Sequence, residues 1–307
     1  MPAHPAILVV NADDFGISRG VNRGIVEAHQ QGLVTSASLM ANLPSAEDAV
    51  TRAAVCPGLG LGVHLTLTAG RPLLSPDDVP TLVDARGEFL VLGTLLARLS
   101  TGQVRAAEVE RELTAQVAWL QRRGVQPGHL DSHHHVHTHP VVAPIVVRLA
   151  RSSGVSWVRC PVEVSAPGVL LTARPKDAAR TLAISTFGLL LRARLRRAGL
   201  RFARHFRGIA LGMGFDQRAL LDLLRALPSG LTELMTHPGH PDAELARLTV
   251  FADGRDRELS ALTSQAARAV LRRRAIRLSG FPTSEVAVPS RTERRGQPGG
   301  GSRGPSR

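Results

Sequence analysis

Cysteine, lysine and long apolar runs are scarce in this chain of 307 residues. The two cysteines, Cys56 and Cys160, are too few for a disulfide scaffold, which fits a reducing cytoplasm. No apolar run reaches the roughly 18 residues of a membrane-spanning helix. The apolar run within residues 1–10 lacks the basic start and small-residue cleavage site of a signal peptide. Hydrophobic residues still make up 43% of the chain, which is enough for a packed core and excludes wholesale disorder.

Positive charge is concentrated in two segments. The formal net charge is +13, and residues 192–207 alone hold seven arginines and no acidic residue. Residues 289–307 hold five arginines and one glutamate. Because the remaining chain is nearly neutral, the sequence argues against a nucleic-acid-binding face. Lysine occurs once, at Lys176, so we interpret the preference for arginine as genome composition rather than function.

Strand-like and helix-like segments alternate along the chain, which is the pattern of a parallel α/β fold. The predicted strands are Ile7–Asn11, Ser36–Ala41, Leu59–Leu67 and segments near 128–132, 155–160 and 231–236. The predicted helices are 19–30, one that Ser45 caps with Asp48 three residues later, 103–123, and a basic helix over 256–277. We expect the segment 68–100 to be a loop over one end of the fold.

The domain organisation follows from length and composition. Since an α/β barrel needs about 250 residues, we predict one barrel domain over residues 1–288. Residues 289–307 are rich in Gly, Pro, Ser and Arg and have no apolar periodicity, so we expect a disordered tail.

Acidic and imidazole side chains follow the predicted strands. They are Asp13–Asp14, His64, the run Asp131–His135, His137 with His139, and His237. In a parallel (β/α) barrel the carboxyl ends of the strands meet at one face, so these groups should converge on one pocket. Two adjacent carboxylates after a buried strand are costly unless they are paired, solvated or bound to metal. The alternative is that one of them caps the next helix.

Six of the 12 histidines lie in residues 129–139. His133, His135 and His137 would share one face if this run is extended, and His133 and His137 if it is helical. Either arrangement offers convergent imidazoles, which are the commonest metal ligands among side chains. The alternative is a solvated polar loop. Asp131 is a further ligand or an acceptor that fixes an imidazole tautomer, whereas we expect no ligand among His129, His134 and His139.

Two isolated histidines are ambiguous by themselves. His64 lies on a strand between glycines, where a packed or surface histidine is a more common explanation than a ligand. His237 ends a late strand before Pro238. It is either a general acid, since its ordinary pKa lies close to neutrality, or a turn residue.

Five stretches occur in a characteristic order: NADDFGISRGVNRGI, GLVTSASLMANLPSAEDAV, GLGVHLTL, GHLDSHHHVHTHP and ELMTHPG. In combination they resemble the YdjC-type carbohydrate deacetylase family, which includes chitooligosaccharide and hopanoid-associated deacetylases. The resemblance extends from about residue 6 to about residue 280 and is weakest near 165–207.

The resemblance implies a distorted (β/α) barrel related to polysaccharide deacetylases, with one divalent metal ion, magnesium or zinc. It implies that Asp14, His64 and His133 are the metal ligands, Asp13 the general base and His237 the general acid. The implied enzyme is a hydrolase that acts on a linear amide C–N bond. It would remove the acetyl group from an N-acetylated sugar, either chitooligosaccharide-like or linked to a glycolipid.

The substrate-binding residues implied by the resemblance are His135 and Asp131. Aromatic residues make up 3% of the chain and tyrosine is absent, so few rings are available to stack on sugars. Trp157 and a few phenylalanines are the candidates, which argues against a long oligosaccharide cleft.

Residues 178–207 combine leucine and phenylalanine with an arginine-dense run. A basic amphipathic helix of this kind can lie on an anionic membrane surface, which would suit a glycolipid substrate. The alternative is an ordinary barrel helix with a solvated arginine face. We expect a cytoplasmic protein, with a position at the periphery of the inner membrane and a homodimer both left open.

Two other functions use the same features. A metal-dependent phosphoesterase would need the same Asp and His ligands, with Arg19, Arg71 or Arg159 holding the phosphate. A non-catalytic binding protein would dock its arginine-rich segments on a membrane or nucleic acid, and its binding would then fall steeply with salt.

Overall fold

The computed structural model describes residues 5–163, 175–212, 214–248 and 254–281. The predicted tail, 289–307, lies outside the described residues. The strands are β1 (Ala6–Phe15), β2 (Ser36–Leu39), β3 (Gly60–Leu65), β4 (His129–Ser132), β5 (Trp157–Val158), β6 (His205–Arg207), β7 (Gly230–Thr236) and β8 (Arg277–Leu278). All pairs between them are parallel. The order is β5-β4-β3-β2-β1-β7-β6, and β8 pairs with β1.

The sheet curls so that its two ends meet. A bridge joins Trp157 in β5 to Arg201, just before β6. Two hydrogen bonds hold this seam: the Val158 N–H donates to the Arg201 carbonyl over 2.9 Å, and the Arg201 N–H donates to the Ser156 carbonyl over 2.7 Å. The prediction of a distorted (β/α) barrel is therefore confirmed.

Helices surround the sheet. They are α1 (Arg19–Gln30), α2 (Ala46–Ala54), α3 (Leu92–Ser100), α4 (Ala106–Gln121), α5 (Ala143–Ser152), α6 (Pro175–Arg197), α7 (Gln217–Arg225), α8 (Ala243–Leu248), α9 (Arg255–Thr263) and α10 (Gln265–Arg273). Short 3₁₀ segments occupy Pro76–Asp78 and His133–Thr138. None of the described helices is both long and apolar enough to cross a membrane.

The core lies between β1 and the helices that cover the sheet. β1 pairs with β7 along one edge, while β8 and then β2 share the other. Because it is enclosed on both sides, β1 reads as a nearly continuous apolar run up to its last residues. The predicted apolar stripe of α4 is confirmed, since Val109, Leu113, Val117 and Leu120 are at most 1% exposed.

One predicted helix and one predicted loop are wrong in part. The predicted helix 256–277 is two helices, α9 and α10, followed by β8. The break occurs because Ser264 is extended and its hydroxyl accepts from the Ala267 N–H, which starts a new helix. The predicted loop 68–100 contains α3, whose buried Leu95 and Leu99 pack on the core.

The predicted Ser45 cap is also wrong in its chemistry. Ser45 does precede α2, but its side chain makes no capping hydrogen bond. Its hydroxyl donates instead to the carboxylate of Glu244, 199 residues away. Asp48 accepts from Asn22 and Arg52 rather than completing a capping box. Side chains other than those of the predicted capping box therefore bind Ser45 and Asp48.

Candidate active site

Asp13 and Asp14 lie in a bulge at the carboxyl end of β1. The pairing register with β2 shifts between Ala12 and Phe15. Asp14 adopts a left-handed backbone conformation, with φ of 65°. Such bulges re-aim side chains, so two consecutive carboxylates can reach the same site although strand neighbours normally point to opposite faces. Both are 2% exposed.

A cavity of about 370 Å³ opens at the carboxyl end of the sheet. Eight acidic and imidazole residues predicted from strand ends line it: Asp13, Asp14, His64, His133, His134, His135, His139 and His237. Asp131 and His137 were expected in the same pocket but do not line it. The predicted convergence is thus found for most of the set.

Three of these residues form a compact donor cluster. The Asp14 Oδ1 atom lies 3.4 Å from His64 Nε2 and 3.1 Å from His133 Nδ1, and the three donor atoms lie within 4.8 Å of one another. Tetrahedral ligands about 2.1 Å from one ion are roughly 3.4 Å apart, so these donors fit a divalent cation. Two imidazoles and a carboxylate suit zinc or iron as well as other divalent ions, so the cluster does not select the metal.

A second donor cluster comprises Asp13, His64 and Asp131, but it already contains a cation. The Arg159 side chain is fully buried and contacts both oxygens of Asp13, over 2.6 and 2.7 Å. It also contacts Asp131 over 2.8 Å and Glu233 over 2.6 Å. The guanidinium supplies the positive charge for this group, which leaves the Asp14 cluster as the candidate metal centre.

Asp131 orients His64. Its Oδ1 lies 2.8 Å from His64 Nδ1, and its Oδ2 accepts from the Ser38 hydroxyl over 2.6 Å. With Nδ1 engaged, Nε2 of His64 faces Asp14, as a metal-ligating imidazole requires. Although burial disfavours its charge, Arg159 and His64 hold the pKa of Asp131 well below its usual range. Asp131 is fully buried beneath the cavity, so this geometry does not support the predicted substrate contact.

Arg255 binds the second oxygen of Asp14. Its Nη2 lies 2.6 Å from Asp14 Oδ2, which leaves Oδ1 directed at the two histidines. Burial opposes ionisation of Asp14, but Arg255 and His133 outweigh it and hold the pKa of this carboxyl well below its usual range. Four carboxyl groups share the two guanidinium groups of Arg159 and Arg255, so the site is suited to a further cation. The carboxyl groups are those of Asp13, Asp14, Asp131 and Glu233.

The histidine run has neither of the predicted conformations. His134 and His135 are both left-handed, with φ of 55° and 57°, inside an irregular 3₁₀ segment. The chain therefore turns at each residue, and the predicted shared face of His133, His135 and His137 does not form. His135 faces the cavity and its buried Nδ1 has no partner. His137 turns inward instead, where its ring contacts the hydroxyl of Ser132.

His237 is held at the cavity by Glu258. Its backbone N–H donates to Glu258 Oε2 over 2.6 Å, and its Nδ1 lies 4.0 Å from Oε1. Burial lowers the pKa of His237 to about 4 despite the nearby Asp14 and Asp13. At neutral pH this imidazole is therefore uncharged.

Several functional contacts were not predicted. Arg159 directly follows β5, so the strand-end rule that selected the histidines could have paired it with Asp13. Arg255 had no such signal, because it begins a helix 241 residues after Asp14. Arg19 and Arg71, expected beside a phosphate, do not line the cavity.

Trp157, which was expected to stack on the sugar, is not at the cavity. Trp157 packs in a small core cluster and does not line the cavity. Phe187 does line it, on α6.

The chain matches the family model described as YdjC-like protein over residues 7–273. The chain belongs to the YdjC-like family. It is 38% identical to a carbohydrate deacetylase of Geobacillus stearothermophilus over 275 residues, which are 89% of this chain and 96% of that protein. It is 37% identical to a carbohydrate deacetylase of Brevibacillus brevis over 277 residues, with 89% and 98% covered. The family resemblance seen in the five sequence stretches is confirmed.

A solved structure shares the fold of this YdjC-like protein. It comes from Enterococcus faecalis V583, and its description refers to cellobiose-phosphate cleavage. The TM-score is 0.72 at 28% identity, and the alignment covers 90% of this chain and 98% of that one.

Proposed function

We propose that this YdjC-like protein is a metal-dependent hydrolase that removes the acetyl group from an N-acetylated sugar. The observation that carries the proposal is the pairing of two carboxylates at one cavity: Asp14 belongs to the donor cluster, and its neighbour Asp13 is clamped by Arg159. The carbohydrate deacetylases that share more than a third of its sequence support the substrate class.

Asp14, His64 and His133 would hold the divalent ion, with magnesium and zinc as the candidates. The ion supplies positive charge that polarises the acetyl carbonyl and favours ionisation of the attacking water. Arg255 keeps one Asp14 oxygen occupied, so that Asp14 offers the other. Asp131 keeps His64 in the tautomer that presents Nε2.

Asp13 acts as the general base. It faces the cavity, and Arg159 fixes both of its oxygens, so its orientation is set before substrate arrives. The carboxylate takes a proton from water as the oxygen attacks the carbonyl carbon.

His237 passes a proton to the amide nitrogen as the C–N bond breaks. Because it is uncharged at neutral pH, it can donate only a proton that it receives during the reaction. The proton taken up by Asp13 is the source that balances this step. His135, whose buried Nδ1 is unpartnered, contacts the substrate.

Other partners and the location stay predictions. We expect a cytoplasmic protein, no nucleic-acid partner, and either a monomer or a homodimer. Contact with the inner membrane through residues 178–207 is a further prediction. A phosphoesterase is less favoured, because Arg159 is fully engaged by carboxylates rather than free to hold phosphate.

The test is acetate release from N,N′-diacetylchitobiose, with metal removed and then restored, beside a panel of phosphate esters. We expect release that needs the metal and no phosphate release. Metal-dependent phosphate release without acetate release from any acetylated sugar would overturn the proposal.

A further inference from the structure

Helix α6 packs on the barrel through the small residues Ser185 and Gly188 and, in its second half, through the fully buried Leu191 and Leu195. A Cβ atom at Gly188 would lie 2.9 Å from Val162 Cγ2 and 3.1 Å from the Pro161 carbonyl, so the helix is in close contact there. The Ser185 hydroxyl accepts from the Glu163 N–H over 3.1 Å. These contacts fix which side of α6 faces the protein.

The opposite side of α6 is apolar and exposed. Leu182, Leu189 and Leu190 are 55%, 48% and 54% exposed, and Phe187 is 37% exposed. A surface helix normally keeps its apolar residues on the side toward the core, whereas α6 exposes these leucines in addition to the buried Leu191 and Leu195. The exposed leucines are therefore not explained by the folding of this chain.

Exposed apolar side chains concentrate on two helices that also line the cavity. In the described part of the chain seven large hydrophobic side chains are exposed, and six of them lie on α6, on α3 or immediately before α3. Both helices also line the cavity, through Leu92, Leu96, Ile184 and Phe187. A concentration of exposed apolar side chains of this kind marks an interaction site.

Each apolar row on the outer side of α6 ends in an arginine. Residues seven apart lie two turns, about 10.5 Å, along the same side of a helix. The rows are Leu182, Leu189, Arg196; Ala183, Leu190, Arg197; and Arg180, Phe187, Arg194. Arg194, Arg196 and Arg197 are all exposed, and residues 178–207 contain no acidic residue. The outer side of α6 therefore carries its leucines beside arginines, and one further arginine, Arg180, lies at the cavity.

We propose that α6 and α3 form a docking surface that places the cavity mouth on an anionic lipid bilayer. The leucines enter the apolar layer and the arginines contact lipid phosphates, as in helices that lie in the membrane interface. The substrate is then an acetylated sugar whose lipid anchor stays in the bilayer. That last assignment rests on the proposed deacetylase function.

A second copy of the chain fits this surface less well. A protein covering the outer side of α6 and α3 would cover helices that line the cavity, whereas a lipid surface delivers substrate to it. The acid-free segment 178–207 also gives no carboxylates to pair with the arginines of another copy.

The experiment is sedimentation of the full chain with vesicles of phosphatidylcholine, alone or mixed with phosphatidylglycerol. We expect binding to the mixed vesicles that weakens as salt rises. The double variant Leu189→Glu/Leu190→Glu and the triple variant Arg194→Gln/Arg196→Gln/Arg197→Gln should each bind at least about tenfold more weakly, since each removes one of the two attractions.

Matched controls lie elsewhere on the surface. Val55→Glu changes a residue that is 74% exposed, and Arg218→Gln one whose side chain is 90% exposed. Both should bind like the unmodified chain. None of the substituted residues lines the cavity, so every variant should keep its turnover of N,N′-diacetylchitobiose.

Absence of binding to the mixed vesicles, or binding that neither α6 variant weakens, would overturn the proposal. So would sedimentation equilibrium showing a dimer that the leucine variant dissociates, since a second copy would then cover the patch. Vesicle binding lost in the α6 variants, in a protein that deacetylates nothing, would keep the docking surface and remove the proposed deacetylase.

Discussion

The carboxyl end of the sheet and the outer side of α6 differ in whether their side chains have partners that suit them. The first region contains buried charges, and the second contains exposed apolar side chains. At the sheet, the buried charges have partners within the fold: Arg159 contacts three carboxylates, and Arg255 contacts Asp14. On α6, the large apolar side chains Leu182, Leu189 and Leu190 are about half exposed. The first region holds more carboxyl groups than cationic partners, and the second exposes apolar side chains that a surface helix normally buries. We infer that the carboxyl end of the sheet binds a metal ion and that the outer side of α6 binds a larger partner.

The largest effect should come from breaking the donor cluster. His133→Ala removes one of three donors, so metal affinity should fall by more than the roughly 10- to 100-fold cost of losing an outer hydrogen bond to a ligand. His134→Ala is the matched control. The centroids of the His134 and His133 rings are 3.9 Å apart, but His134 does not belong to the donor cluster. Titration calorimetry checks both variants. Equal metal affinity in His133→Ala and the unmodified chain would remove His133 from the ligand set.

The next effect concerns the folding energy of the two regions. Arg159→Met leaves buried carboxylates without their cation and should lower the free energy of unfolding by about 3–5 kcal/mol. Leu189→Ser on the outer side of α6 should change it by no more than roughly 0.5 kcal/mol. Denaturant titration measures both. Similar losses in the two variants would show that the outer side of α6 contributes to folding after all.

A smaller effect is expected from Glu258, which holds His237. Burial raises the pKa of Glu258 to about 7, although the N–H groups of His237 and Gly214 oppose the shift. Its charge is thus disfavoured in the fold. The group has no cost below the ordinary pKa of 4.5 and destabilises increasingly as pH rises to about 7. The full penalty is on the order of 3 kcal/mol.

Glu258→Gln should therefore show a flatter fall of unfolding free energy between acidic and mildly alkaline pH. Glu110→Gln is the control, because that exposed carboxylate is paired with Arg148 at the surface. Parallel slopes in Glu258→Gln and the unmodified chain would mean that folding does not raise the pKa of Glu258.

Sequence reasoning located the site because parallel strands place their carboxyl ends together. Asp13, His64 and His237 were found by that rule alone, from three distant segments. The roles of individual residues followed less well. The left-handed turns at His134 and His135 depend on their surroundings, so no periodicity in the run could reveal which imidazoles face the cavity.

Contacts between distant segments set the remaining limits. Ser45 was expected to cap α2 because its local pattern fits, but Glu244 binds its hydroxyl instead. The side of α6 that faces the barrel could not be predicted from the sequence either. Its composition is compatible with either side facing inward, and the close packing at Gly188 decides which does.

The most direct test distinguishes the role of Asp13 as general base from that of Asp14 as metal ligand. Asp13→Asn should keep one bound metal ion per chain, because Asp14 rather than Asp13 belongs to the donor cluster. Its acetate release from N,N′-diacetylchitobiose should fall by about 10²- to 10⁴-fold, since it lacks the base. Metal content and turnover measured on the same preparation give the answer. Loss of the metal together with turnover, or turnover that survives, would contradict the division of roles between Asp13 and Asp14.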